Sequence, residues 1–374
     1  MSRDQDHRHM ARAIQLAARA RYTTQPNPQV GCVLVRDGQV VGEGYHRRAG
    51  EPHAERNALA EAGDLARGST AYVTLEPCCH QGRTPPCTEG LIEAGVSRVV
   101  AAMRDPNPKV AGQGFDRLRS AGIEVLEGIM QAQAEALNSG FVKRMSRGLP
   151  YVRCKLAMSL DGRTAMASGE SQWITSAQAR SDVQRLRAIS GAILTGVGTL
   201  LSDDPSLTVR LDHESLEIDP DLPLPRPVRV VLDPVLDTPV ESRMLALPGL
   251  TLIICQDENP AHGAALEGAG AQVVMLPGEP GRLDLWEVMR YLASQEINDV
   301  LVESGATLAG ALLEQGLIDE LIVYQAPHIM GDAARGLFHL PEIQRMQQRI
   351  SLNITDVRQV GPDIRFTAIP GTRA

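Results

Sequence analysis

The sequence predicts an α/β protein of two domains, the first a three-layer αβα sandwich. Three observations carry this. A chain of 374 residues is two domains long at ~100–200 residues each. Apolar residues at helical spacing alternate with short β-rich runs, the pattern of helices packed on a buried sheet. The punctuation Arg147-Gly148-Leu149-Pro150 falls where that pattern restarts. The expected domains are residues 1–147 and 150–374.

In the first domain, Ala, Ile, Leu and Met at helical spacing predict a helix over 8–20. Residues 29–35 and 40–45 predict two strands joined at Asp37-Gly38, a strong hairpin signal. A helix over 53–62, a strand over 70–75, a helix over 88–94 and a strand over 96–103 follow. A helix over 115–121, a strand over 123–126 and a helix-rich stretch over 131–143 complete the domain. The second domain opens with a strand over 151–157, a helix near 177–188 and a strand over 192–195. The Pro- and acid-rich run 211–227 reads as a surface loop. Further strands are expected over 228–232, 251–255, 272–276, 299–302 and 320–324.

Composition narrows the function. Hydrophobic residues make up 43% and charged residues 22%, values that suit a globular protein. A net charge of −8 disfavours a phosphate backbone as partner. Aromatics at 3% leave few rings on which unpaired bases could stack. No apolar run approaches the ~20 residues of a membrane span, and Met1–His9 is too polar for a signal peptide. A cytoplasmic location is therefore expected. There the six cysteines stay reduced. Cys78, Cys79 and Cys87 crowd into ten residues, which favours metal binding or catalysis over disulfides.

His53-Ala54-Glu55 opens a helix, and Pro77-Cys78 follows a strand, with Cys87 nine residues later. A His-x-Glu followed by a Pro-Cys pair and a second cysteine is the zinc deaminase signature. Three protein ligands, His53, Cys78 and Cys87, leave the fourth zinc position open for water. Glu55 is placed to take a proton from that water and pass it to the ring nitrogen and the departing ammonia. A structural zinc site would need a fourth ligand, and Cys79 or His80 could supply one.

The second cysteine is not at the short spacing usual for the signature. The intervening run is Cys79-His80-Gln81-Gly82-Arg83-Thr84-Pro85-Pro86, and the whole segment Glu76–Cys87 resembles the expanded loop of the bifunctional riboflavin-biosynthesis deaminase/reductase family. Asn27-Pro28-Gln29-Val30-Gly31, Gly42-x-Gly44-Tyr45-His46 and Asp105-Pro106-Asn107-Pro108 fit the same family, and the likeness covers nearly the whole chain. Cys79 departs from it, since the family more often has serine there. The resemblance implies a cytidine-deaminase-like first domain. It implies that Asn27, His46, His80, Arg83, Thr84 and Asn107 line a pyrimidine and ribose-phosphate pocket. On their own terms, Asn27 and Asn107 sit beside prolines and could equally shape turns.

No Gly-x-Gly-x-x-Gly follows a strand in the second domain, so a Rossmann fold is not supported. Two strand–glycine–helix junctions are present, at Gly196-Val197-Gly198-Thr199 and at Ser304-Gly305-Ala306-Thr307. Either could be a phosphate site or a plain tight turn. With Lys155-x-Ala157-x-Ser159-Leu160-Asp161-Gly162, Ser171-x-Trp173 and Asp203-Asp204-Pro205-x-Leu207-Thr208-x-Arg210, they resemble the reductase half of the same family. That resemblance implies a dihydrofolate-reductase-like fold and NADPH as cofactor. It assigns Ala157, Trp173, Thr199, Asp203, Gly305, Ala306, Thr307, Leu308, Ala309 and Gly310 to the dinucleotide. Lys155, Ser171, Arg187, Leu207, Arg210 and Glu303 are assigned to the substrate. Arg187 and Arg210 could clamp a phosphate bidentately or simply form salt bridges.

The expected function is bifunctional. The first domain would hydrolytically deaminate 2,5-diamino-6-(5-phosphoribosylamino)pyrimidin-4(3H)-one with zinc, and the second would reduce the ribosyl side chain to ribityl with NADPH. The partners expected are a small phosphorylated substrate and a second copy of the chain, with neither nucleic acid nor membrane. One alternative is a zinc deaminase of a nucleic-acid base carrying an accessory domain, against which the acidic charge and few aromatics argue. Another is a zinc-stabilised binding protein without catalysis.

Overall fold

The computed structural model describes residues 2–81, 85–256, 259–279 and 281–371. Arg83 and Thr84, both assigned to the substrate above, lie outside the described residues. The chain divides into two compact units. One comprises Met1–Gly148 with His213–Leu224, the other Leu149–Asp212 with Pro225–Ala374.

The first unit runs α1 (Arg3–Ala18), β1 (Gly31–Arg36), β2 (Gln39–Tyr45), α2 (Ala54–Ala62), β3 (Thr70–Val73) and α3 (Cys87–Glu93). It continues with β4 (Arg98–Ala101), α4 (Gln113–Ser120), β5 (Glu124–Glu127), α5 (Gln131–Leu137) and α6 (Ser139–Arg147). The sheet order is β2-β1-β3-β4-β5. Strand β1 is antiparallel to both neighbours, whereas β3, β4 and β5 run parallel. The hairpin turns at Asp37 and Gly38, both at positive φ, as the two-residue turn requires. Glycines on β2 seat α2: a Cβ at Gly42 would lie 2.3 Å from the Ala58 carbonyl, and one at Gly44 2.3 Å from that of Ala54. This close approach fixes the start of α2, from which His53 and Glu55 project.

The helix-rich stretch expected over 131–143 is two helices, α5 and α6, parted at Asn138. The Asn138 side chain accepts from Gln29 N (2.7 Å) and donates to Gln29 O (2.9 Å), so it pairs with a distant backbone rather than a helix. The run 211–227 is not simply a surface loop. It holds the short helix α9 (His213–Leu216), and His213–Leu224 packs with the first unit. Leu216, Ile218 and Leu222 are buried there, and Arg47 reaches Asp219 (2.8 Å) and Asp221 (3.2 Å). Three apolar residues among prolines and acids set no period, so their burial left no trace in the pattern.

The second unit runs β6 (Tyr151–Ser159), β7 (Arg163–Ala165), α7 (Ala177–Ile189), β8 (Ala192–Gly196), α8 (Val197–Asp203), β9 (Val228–Leu232), β10 (Thr251–Cys255), α10 (Pro260–Gly268) and β11 (Ala271–Met275). It continues with β12 (Gly278–Glu279), β13 (Arg282–Leu283), α11 (Leu285–Ser294), β14 (Asp299–Glu303), α12 (Ala306–Glu314), β15 (Glu320–Ala326), β16 (Arg335–Gly336), β17 (Leu352–Val360) and β18 (Asp363–Pro370). Nine strands form one sheet in the order β11-β10-β9-β8-β14-β6-β15-β18-β17. The strands from β11 to β15 are parallel, and β18 and β17 close one edge antiparallel. Val152, Cys154, Leu156, Val300 and Val302 are fully or almost fully buried at its centre. The β17–β18 hairpin is absent from the expected strands because neither strand buries an apolar face: β17 is exposed along both faces, and in β18 Asp363, Arg365 and Thr367 are buried while Ile364 and Ile369 are exposed.

Candidate active sites

Two helices and one loop build the first site. His53 caps the start of α2, Cys87 opens α3, and Cys78 lies on the loop between β3 and α3. His53 Nδ1 lies 3.3 Å from Cys87 Sγ and 3.6 Å from Cys78 Sγ. Among the described residues, these three form the one such cluster of His, Cys and acidic side chains, with ligand atoms within 4.8 Å of one another. The Cys87 backbone N–H points at Cys78 Sγ (3.4 Å), where the positive end of a helix favours a thiolate. A hydrogen bond from the Cys87 thiol, aided by the His53 ring, holds Cys78 down at about 4. One imidazole nitrogen and two sulfurs are a donor set that fits zinc with a fourth position open.

Glu55, in the first turn of α2, is 3% exposed. Burial, with the Cys78 charge beside it, raises its carboxyl above the ordinary range. A carboxyl in that state can hold a proton as well as release one.

The surrounding polar residues fall into two groups. His46 is buried with its ring edge-on to His53, the centroids 5.3 Å apart. Its Nδ1 faces the Pro52 carbonyl (3.2 Å) and its Nε2 faces the Asn27 amide (3.0 Å). This pattern fits a ring protonated at Nδ1 that accepts from Asn27. Burial holds its pKa down, so the ring is neutral. Asn27 and His46 therefore stand together beside the cluster. Asn107 is half-buried, and its side-chain oxygen accepts from Lys109 N (3.1 Å), shaping a turn. Its neighbour Asp105 is near enough to Cys78 and His80 for their charges to act on it. His80 is exposed.

The second site is an open cavity of about 880 Å³. Two helix starts meet at its wall. Gly196 caps α8 and Gly305 caps α12, and a Cβ on Gly305 would lie 4.0 Å from the Thr199 hydroxyl. Thr199, Asp203, Gly305, Ala306, Thr307, Leu308 and Ser171 line the cavity. Ala309 and Gly310 are buried further along α12, where Gly310 abuts the His339 carbonyl. Ala157 is not on the lining, and Trp173 is exposed with the Arg180 guanidinium 4.5 Å from its ring centroid.

The residues assigned to the reductase substrate separate similarly. Arg187, in the last turn of α7, binds Glu303 through Nε (2.6 Å) and Nη2 (2.9 Å), and the Thr208 carbonyl through Nη1 (3.0 Å). Lys155 lies opposite Glu303 in the β6–β14 register. Burial opposes ionisation of Glu303, but Arg187 and Lys155 outweigh it and keep the carboxyl below its ordinary range. Burial pulls Lys155 down. Arg210 is exposed, near enough to Arg187 and Glu303 to feel both charges. Leu207 is buried with Ile193 and Leu200.

Several wall residues had no signal in the sequence. Thr164, Ala165 and Arg335 reach the cavity through the β7–β16 ribbon, and Arg282 and Leu283 through β13. Ribbons of two or three residues are too short for a period, and their pairing is distant in sequence.

Comparison with known proteins agrees with this division. The cytidine and deoxycytidylate deaminase zinc-binding region matches residues 3–103. The RibD C-terminal domain matches residues 150–366. The riboflavin biosynthesis protein RibD of Escherichia coli (strain K12) is 53% identical over 363 residues, covering 96% of this chain and 98% of that protein. RibD of Acinetobacter baumannii superposes with a TM-score of 0.90 at 46% identity, covering 99% of this chain and 100% of that one. A diaminohydroxyphosphoribosylaminopyrimidine deaminase/5-amino-6-(5-phosphoribosylamino)uracil reductase from Thermotoga maritima superposes at 0.85 with 32% identity, covering 99% of each chain. With relatives this similar along almost its whole length, the chain belongs to the family of the riboflavin biosynthesis protein RibD.

Proposed function

We propose that this chain deaminates a diamino-hydroxy-phosphoribosylaminopyrimidine in its first unit and reduces the ribosyl side chain of the product in its second. The observation that carries the reading is the His53–Cys78–Cys87 cluster with Glu55 buried beside it, in a chain whose other unit holds a cavity fit for a dinucleotide.

His53, Cys78 and Cys87 would hold zinc, which supplies the Lewis acidity that brings water's pKa towards ~7. Glu55 accepts the proton of the attacking water. It passes that proton to the ring nitrogen, then takes the second proton from the oxygen now bonded to the ring carbon and gives it to the amino group as the C–N bond breaks and ammonia leaves. Asn27 presents its amide to the pyrimidine edge, and His46, engaged by Pro52 and Asn27, orients that amide and flanks the pocket. Arg83, Thr84, His80 and Asn107 complete the assignment to the pyrimidine and its phosphorylated sugar.

In the second unit, backbone N–H groups at the two glycine-capped helix starts suit a pyrophosphate. The Thr199 and Thr307 side chains border the same cavity. NADPH there would supply a hydride to the sugar carbon, and solvent would supply the second proton that completes the reduction. The Arg187–Glu303 pair fixes the end of α7 against β14, with Lys155 and Arg210 charged nearby, where a sugar phosphate would be met. The exposed Leu352, Ile354 and Val357 of β17 support self-association through this unit.

Mass spectrometry of products formed by the zinc-loaded protein tests the reading. Replacing an amino group by oxygen raises the mass by about 1 unit without cofactor, and reduction adds about 2 more with NADPH. No mass change in the first incubation would overturn the deaminase assignment. No further change on adding NADPH would overturn the reductase assignment.

A further inference from the structure

We infer that Glu76 is a positioning residue of the deaminase, fastening the segment Asp105–Gly114 to the metal-bearing loop so that Asn107 is held at the pyrimidine pocket. This rests on the function proposed above.

Glu76 follows β3 and is 5% exposed. Its backbone N–H donates to the Met103 carbonyl (3.0 Å). Its carboxylate then spans the whole following loop. Oε2 accepts from Asp105 N (3.0 Å) and Gly112 N (2.9 Å), and Oε1 accepts from Gly114 N (2.8 Å). Between those anchors the loop is organised locally. Asp105 Oδ1 accepts from Asn107 N (2.8 Å), and Asn107 Oδ1 accepts from Lys109 N (3.1 Å). Glu76 thus grips both ends of the turn that presents Asn107, through three charge-assisted bonds that a neutral side chain cannot reproduce.

The grip also reaches the metal ligands. A Cβ on Gly114 would sit 2.1 Å from the Pro77 carbonyl, so the loop's far end lies directly on the residue between Glu76 and Cys78. One buried carboxylate thus holds both ends of the turn that carries Asn107 against the strand end that leads to Cys78. A shift of the turn would then misplace the pyrimidine without disturbing the metal.

The test uses the full-length zinc-loaded protein and the variants E76Q, N107A and E76Q/N107A. Glutamine keeps the shape but turns one acceptor into a donor facing backbone N–H groups. E76Q is expected to raise the deaminase KM about 10-fold with kcat within about 3-fold, the split that marks lost binding rather than lost chemistry. Zinc per chain and reductase kcat/KM stay as in the unaltered protein. The double variant is expected to be no worse than N107A, because Glu76 acts through Asn107. E76Q kinetics unchanged while N107A raises KM would overturn the inference, as would effects that multiply in the double variant. Loss of zinc, or a fall in kcat at constant KM, would assign Glu76 to the metal site instead. An unchanged KM in N107A would remove the contact on which the inference depends, and no deamination by the unaltered protein would sink the function itself. Should E76Q give no soluble protein, E76D keeps the charge with shorter reach and is judged by the same criteria.

Discussion

The buried pair Arg187–Glu303 makes a sharp expectation about stability. Their side chains are only 10% and 14% exposed, and the guanidinium grips the carboxylate with both Nε and Nη2. Removing one partner of such a pair strands a charge away from water and costs about 3–5 kcal/mol. The two removals are not equivalent. R187M leaves Glu303 facing Lys155, so one anion still meets one cation. E303Q leaves Arg187 and Lys155 with no anion between them. E303Q therefore falls at the upper end of that range and R187M at the lower. A gap of about 1.4 kcal/mol would mean a tenfold difference in the unfolding equilibrium. Raising the pH shrinks the E303Q loss, since burial has already lowered the Lys155 pKa and the amine sheds its proton early. Urea titration followed by tryptophan fluorescence reads this directly. The chain has 2 tryptophans, and both Trp173 and Trp286 lie in the second unit. The midpoint should fall with an unchanged slope. A cost below about 1 kcal/mol for either variant, or a larger cost for R187M than for E303Q, would refute the reasoning.

Three further outcomes are expected. Glu55→Gln lowers deaminase kcat by about 10²–10⁴ while zinc content and reductase activity hold; retention of full deaminase activity would remove Glu55 from the proton path. Gly44→Ala drives a Cβ to 2.3 Å from the Ala54 carbonyl and displaces α2, which costs at least about 1–3 kcal/mol; an unchanged melting temperature and unchanged deaminase activity would contradict that packing. Asp6 is a buried, acid-sensitive group of the first unit. Burial opposes its ionisation, but hydrogen bonds from Arg98 (2.8 Å) and Tyr72 (2.8 Å) prevail and lower its pKa. A depressed carboxyl stabilises the fold above its unfolded pKa, ~3.9, and that stability is lost as pH falls through the folded value. Melting curves from pH 6 downwards should show the parent losing its advantage over Asp6→Asn below about pH 4. Parallel curves throughout would mean that Asp6 contributes nothing through its charge.

The metal site was readable because its chemistry demands particular residue types at local spacing. His53 and Glu55 share the first turn of one helix, and Cys78 and Cys87 bracket one loop, so short-range order alone nearly places them. The hairpin at Asp37-Gly38 and the buried strands were legible for a similar reason: turn chemistry and apolar runs are local signals. The rest depended on contacts between residues far apart. Asn138 breaks a helix because Gln29 offers it a better partner. Leu216, Ile218 and Leu222 are buried only because their segment crosses to the first unit. Arg187 read as either a phosphate clamp or a salt-bridge partner, and only the structure shows that its guanidinium meets Glu303, 116 positions away. Glu76 lies in the segment that carries the resemblance, but its role was not readable there, because it binds three backbone N–H groups and a backbone N–H has no letter in a sequence. Sequence by itself determined the chemistry of the site and the order of the local elements. Only the tertiary structure decided which buried charges meet and which loop is fastened to which, because those partners are chosen by proximity in space.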